Sequence, residues 1–253
     1  MRLRFRFRKE TAMQITLDEG YQFGLGVFET IAVEQGTPIL LGWHLERLCR
    51  SMEALGIRQS VTQSDVLSWL SGQTAEHHAL KIMASSANLL FTLRPNPYTQ
   101  AQIQAGFRLA YSNVYRNETS PLVRHKTLNY GDCILEKRRA KILGVDELIF
   151  LNSRGNVCEG TTTNIFFVSG GKLYTPPVAS GLLPGIMRQF ILTHFPVTEQ
   201  PLDREDALKM DECFVTNSLM GVMPVYALEQ KEYARGPVSQ SCLEAYQSAC
   251  RVF

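Results

Sequence analysis

The sequence predicts an α+β fold in two parts, and three observations carry that prediction. Strand-like and helix-like segments are mixed without the regular strand–helix alternation of a doubly wound parallel sheet. The run Arg94-Pro95-Asn96-Pro97-Tyr98 sets two prolines around an asparagine, a loop signal that divides the chain. The 253 residues suffice for one large domain or two modest ones. The expected division is a small N-terminal α+β domain over 1–96, an interdomain loop over 97–103 and a large C-terminal domain over 104–253.

Each element follows from local pattern. Met1 to Arg8 alternates Arg with Leu or Phe and reads as a basic edge strand; a mis-chosen start or a targeting remnant is the other reading. Val27 to Val33 is rich in β-branched residues and reads as a strand. Glu34-Gln35-Gly36-Thr37 turns, and Ile39-Leu40-Leu41 returns as a second strand. Leu45, Leu48, Met52 and Leu55 recur at helical spacing before Gly56, and a further helix spans Ser64 to Ser71. Leu80 to Leu93 holds two strands around Ala87-Asn88. Beyond the loop, Phe107 to Ser112 is a strand, Leu128 to Leu143 a helix ended by Gly144, and Glu147 to Leu151 a strand before the turn Ser153-Arg154-Gly155-Asn156. A hairpin joins Asn164–Val168 to Lys172–Thr175. Helices over Ile186 to Phe195 and Leu202 to Lys209, a strand over Cys213 to Thr216 and a loop over Asn217 to Gly221 complete the pattern.

Composition narrows the function classes. Apolar residues make up 45% and charged residues 20%, the balance of a soluble globular chain. No apolar run approaches the ~20 residues that a membrane helix needs, so no membrane partner is expected. A net charge of +2 gives no reason to expect nucleic acid. Six cysteines without CxxC pairs suggest reduced thiols and a cytoplasmic setting. The five histidines show no metal spacing.

The residues that suggest chemistry are a lysine and a glutamate. Lys126 stands in His125-Lys126-Thr127-Leu128-Asn129-Tyr130, and Glu159 opens Glu159-Gly160-Thr161-Thr162-Thr163-Asn164. Pyridoxal phosphate (PLP) chemistry needs such a pair: an amine to bond the aldehyde and a carboxylate to keep the pyridine nitrogen protonated. Arg124 and His125 beside Lys126 favour its neutral amine. A solvated surface lysine, one of eight, and a strand-edge glutamate are the plainer readings. Gly185-Ile186-Met187-Arg188 opens a helix whose amides suit an anion, as would any strand-to-helix junction. Ser218 is a second phosphate donor. Arg47 supplies fixed positive charge, or pairs with Glu46 or Glu53 on a solvated face. Thr30 relays a proton or simply packs as a β-former. Arg94 or Arg116, by charge and position, holds a substrate carboxylate through a two-point contact.

Taken in order, five motifs resemble the class-IV aminotransferase family, the fold-type IV PLP enzymes. They are Phe23-Gly24-Leu25-Gly26-Val27-Phe28-Glu29-Thr30, His44-Leu45-Glu46-Arg47-Leu48, Lys126-Thr127-Leu128-Asn129-Tyr130, Glu159 to Phe166, and Leu183-Pro184-Gly185-Ile186-Met187-Arg188. The resemblance covers Tyr21 to Tyr226 and departs from the family at the arginine-rich start. It implies two α+β domains with PLP in the cleft between them, a homodimer and a small-molecule substrate. It makes Lys126 the residue that bonds PLP and Glu159 the partner of the pyridine nitrogen. Arg47, the Ile186 and Met187 amides and Ser218 become phosphate ligands, and Tyr130 a neighbour of the ring. Within the family, Gly185 to Phe190, Thr30 and Asn217 to Val225 are most similar to the 4-amino-4-deoxychorismate lyases, with Asn217 at a substrate-contact position. Aminotransferases of branched-chain or D-amino acids are the other reading.

Overall fold

A computed structural model of the chain describes residues 14–252. The arginine-rich segment Met1 to Arg8 lies outside them. Helix α1 (Glu19–Phe23) is capped by Asp18, whose carboxylate accepts from Tyr21 N, and is ended by Gly24 in the left-handed region. The same carboxylate accepts from Ser85 Oγ and Ala87 N and so ties α1 to the next sheet's turn.

Strands β1 (Val27–Glu34) and β2 (Thr37–Pro38) form a hairpin over Gln35-Gly36, both at positive φ. The expected strand Ile39-Leu40-Leu41 is absent. Ile39 N makes one last bond to Ala32 O, Leu40 turns through φ 53°, and Leu41 opens α2 (Leu41–Ala54). An apolar triplet serves a helix start as well as a strand, and here burial of Leu41 and Leu45 decides. Helix α3 (Gln63–Ser71) begins with a Thr62–Asp65 capping box. With β3 (His77–Ala84) and β4 (Leu89–Pro95) an antiparallel sheet forms in the order β2-β1-β3-β4. Its α2–α3 side buries Ile31, Val33, Leu48, Met52, Val66, Leu70, Leu80 and Ile82.

After α4 (Gln100–Ala105) the chain enters a nine-stranded sheet at β5 (Phe107–Arg116). Helix α5 (Gly131–Leu143) starts three residues later than its apolar pattern suggests. The reason lies in hydrogen bonds to β1 and the residue before it: Lys126 O accepts from Phe28 N at 2.8 Å, and Leu128 N donates to Gly26 O at 2.8 Å. Residues 126–128 are therefore held extended. The chain continues through β6 (Glu147–Asn152), β7 (Val157–Gly160), β8 (Asn164–Ser169), β9 (Lys172–Thr175), α6 (Ile186–His194), β10 (Val197–Glu199), α7 (Arg204–Leu208), β11 (Glu212–Asn217), β12 (Gly221–Leu228), β13 (Lys231–Glu232) and α8 (Pro237–Val252). The order is β10-β9-β8-β11-β12-β5-β6-β7, with β13 on β12. Helices α6 and α8 cover β11 and β12. One core, holding Phe166, Phe190 and Phe214 with Ala32 and Ile39, draws on both sheets and joins them.

Candidate active site

A cavity of about 880 Å³ lies against both sheets, within the range of small-molecule sites. Lys126 lines it and keeps partial access to it. The ammonium lies 4.6 Å from the Phe28 ring centre and 5.1 Å from that of Tyr130. Enclosure lowers its pKa to about 8, with the Arg47 charge as the second cause. The flanking Arg124 and His125, expected to do this from sequence, are not among the causes; His125 instead faces Ser51 Oγ at 3.1 Å.

Glu159 lies in β7, nearly sealed from solvent, and also lines the cavity. Its Oε1 accepts from Arg116 Nη2 at 2.7 Å and its Oε2 from Leu183 N at 3.0 Å. Burial pushes the carboxyl upward, and Arg116 opposes that push. Arg116 itself does not line the cavity. It points to Glu159 and Cys133, so the expectation that it holds a substrate carboxylate is corrected: its counter-ion is already within the fold.

Arg47 is buried on α2 and not on a solvated face with Glu46 or Glu53. Its Nε and Nη2 each donate to Glu29 at 2.7 Å, and its Nη1 donates to Pro184 O at 3.1 Å. His44 Nδ1 donates to the same carboxylate at 2.6 Å. Burial works against the Glu29 charge, but Arg47 and His44 hold its pKa down at about 2. Burial lowers His44, which leaves the imidazole neutral. The cation is thus clamped on two edges at the mouth of α6.

The first turn of α6 has no side-chain cap, and Gly185 O is engaged by Gln189 N. The amides of Ile186 and Met187 have no acceptor within the helix, and both residues line the cavity. Thr163 and Thr216, also on the lining, each bury a hydroxyl that has no partner among the described residues. Orphaned buried hydroxyls are uncommon, and the oxygens of a bound phosphate would satisfy them. Thr163 belongs to the hydroxyl-rich run after Glu159, which by sequence suits either a cofactor contact or a strand with polar spacing; Thr216 was not expected as a ligand. Ser218 lines the same region. The donor set of a clamped arginine, helix amides, hydroxyls and an amine of lowered pKa fits a phosphorylated pyridine aldehyde.

Tyr130 donates its phenol to Thr161 O at 2.9 Å and packs edge-on to Phe28 at 5.2 Å. Thr30 lines the opposite wall, in register with Lys81. Lys81, unremarked in the sequence, also faces the cavity, and burial with the Arg94 charge lowers its pKa. A lone lysine in the apolar strand Ala79-Leu80-Lys81-Ile82-Met83 was the available signal. Arg94 lines the cavity too. Asn217 reaches it, but its Oδ1 accepts from Leu219 N and Met220 N, both at 3.0 Å, and its Nδ2 donates to Tyr98 Oη at 3.3 Å. The lining thus brings together Thr30, Arg47, Arg94, Lys126, Tyr130, Glu159, Ile186, Met187, Asn217 and Ser218 and leaves out Arg116.

The chain belongs to the amino-transferase class IV family, whose model matches residues 26–228. That family is PLP-dependent. The chain is 27% identical over 254 residues to an aminodeoxychorismate lyase of Bacillus subtilis, covering 89% of this chain and 85% of that one. A 4-amino-4-deoxychorismate lyase structure from Pseudomonas aeruginosa matches with a TM-score of 0.85 at 25% identity, over 94% of this chain and 96% of that chain. A branched-chain aminotransferase structure from Thermoproteus uzoniensis matches with a TM-score of 0.83 at 27% identity, over 94% and 90%. Lyases and aminotransferases thus both stand among its relatives, at low identity.

Proposed function

We propose that this enzyme is a 4-amino-4-deoxychorismate lyase, releasing 4-aminobenzoate and pyruvate. One observation carries the choice over an aminotransferase of branched-chain or D-amino acids. Beside Phe28, the cavity wall on the four-stranded sheet offers Thr30, Lys81 and Arg94, whereas a branched aliphatic side chain would need a wholly apolar wall. Two cations and a hydroxyl suit a substrate with two carboxylates. Asn217, whose Oδ1 is held by two backbone amides and whose Nδ2 gives one hydrogen to Tyr98 Oη, has a single N–H left for that end of the cavity.

In this reading Lys126 bonds PLP, Glu159 faces the ring nitrogen, Tyr130 lies beside the ring, and Arg47, the Ile186 and Met187 amides and Ser218 hold the phosphate. When bound, PLP supplies an electron sink for the charge left by proton loss beside the substrate nitrogen. Lys126, released when the substrate amine takes its place, would remove the proton from the amine-bearing ring carbon, a task that a free-amine pKa near 8 suits. The neighbouring carbon would then lose its enolpyruvyl group, and Thr30 would relay to that leaving group the proton that Lys126 had taken. Lys81 and Arg94 keep the carboxylates fixed throughout.

The reading also takes residues 1–96 and 104–253 as two domains joined by 97–103, places the enzyme in the cytoplasm, and makes it a homodimer. No described helix is long and apolar enough to cross a membrane. Exposed Leu135, which also lines the cavity, and Ile142, seven residues further along the same face of α5, support a second copy as partner.

The test supplies aminodeoxychorismate to the PLP-loaded protein without a keto-acid acceptor. Formation of 4-aminobenzoate is expected. Its absence, alongside steady amino transfer to 2-oxoglutarate, would assign the protein to the aminotransferases instead.

A further inference from the structure

Arg116 ends β5, where the strand runs beside β6 with Arg116 opposite Asn152. Its guanidinium lies over the Phe150 ring, 4.6 Å from the ring centre, and Phe150 is fully buried. From there Nη2 reaches Glu159 Oε1 at 2.7 Å and Cys133 Sγ at 3.1 Å, while Nε is buried without a partner among the described residues. Leu183 N holds the other carboxylate oxygen at 3.0 Å. Glu159 therefore has one fixed donor on each oxygen before any ligand arrives.

The geometry points to Arg116 as a positioning residue that decides where the proton sits between Glu159 and the cofactor's ring nitrogen. The inference rests on the reading of Glu159 as the partner of that nitrogen. A carboxyl group this deeply buried favours its neutral acid. As a neutral acid it would donate to an unprotonated ring and leave that ring a poor electron sink. A guanidinium in contact with the carboxylate is closer to Glu159 than to the far side of any group Glu159 contacts. Its charge therefore stabilises the anion more than it penalises a protonated ring. The Phe150 face and Cys133 keep the guanidinium in place without supplying a competing anion.

The experiment loads the full-length protein with PLP labelled with nitrogen-15 in the ring and records the ring-nitrogen resonance. Wild type and Arg116→Lys, which keeps the charge, are expected to show a protonated ring. Arg116→Leu is expected to move the resonance to the unprotonated position, where Glu159→Gln provides the reference. Arg116→Gln keeps a donor without the charge; it is expected to move likewise, and it serves should the leucine variant fail to fold. A wild-type resonance in Arg116→Gln or Arg116→Leu, with Glu159→Gln displaced, would overturn the role of Arg116 while leaving Glu159 as the ring partner. An undisplaced Glu159→Gln would overturn both assignments.

Discussion

Replacing Lys126 by methionine is expected to stabilise the ligand-free protein by up to roughly 3 kcal/mol at pH 7. The sign follows from a native pKa near 8 against an ordinary value of 10.5. Below pH 8 both native and unfolded chains hold the proton, so the native state bears the full cost of an enclosed charge. Between 8 and 10.5 the unfolded chain stays protonated while the native amine is neutral, and wild-type stability rises. Urea unfolding of wild type and variant across this range should show a gap that closes as pH rises; a constant gap would contradict the pKa assignment. Glu29 is the opposite case. Glu29→Gln leaves Arg47 buried beside a neutral His44, without a counter-ion, and should cost about 3–5 kcal/mol. Thermal unfolding of the ligand-free variant measures it, and a loss below 1 kcal/mol would mean that Arg47 finds another anion or solvent. Long flanking motifs singled out Lys126 and Glu159 in the sequence, and both line the cavity. Arg116 was misread because sequence reports a charge but not the direction of its side chain, and Glu29, quoted only within a motif, became a clamp once α2 placed Arg47 across from it.

At the scale of elements, the site depends on how closely α6 approaches β8. Asn164 Nδ2 donates to Leu183 O at 2.9 Å, and a methyl group added at Gly185 would fall 2.1 Å from Asn164 Oδ1. Gly185→Ala should therefore push the first turn of α6 away from the cavity. A stability loss of about 1–3 kcal/mol is expected, together with at least tenfold weaker PLP retention in equilibrium dialysis. Retention at the wild-type level would argue against phosphate binding at this helix start. Element boundaries were legible wherever period and punctuation agreed, as in β1, α3 and the β8–β9 hairpin. They failed at Ile39 to Leu41, where a short apolar run fits two structures, and at the start of α5, where tertiary hydrogen bonds to Phe28 and Gly26 hold Lys126 to Leu128 extended. Helix α8 was not read from the sequence, although its buried Cys242, Leu243 and Tyr246 recur at helical spacing among polar residues.

For the whole molecule, the two sheets meet through a shared core, which fixes the wall carrying Thr30 and Lys81 relative to the one carrying Lys126 and Glu159. That meeting could not be read from sequence, since Ala32 and Ile39 look like ordinary strand residues until Phe166 and Phe190 are packed against them. The surface carries a second whole-molecule signal. Helix α5 turns Glu136 inward to Ser112 Oγ at 2.6 Å and leaves Leu135 and Ile142 outward at 60% and 84% exposure. A helix that buries a carboxylate and exposes its aliphatic residues inverts the usual pattern, and contact with a second copy through this face would restore it. Ile142→Glu places a charge in that contact without touching the cavity. At micromolar concentration, sedimentation should report a dimer for wild type and a predominantly monomeric variant with unchanged secondary structure. If the variant sediments as wild type does, dimer or monomer, the face of α5 is not where copies meet, and its apolar residues need another explanation.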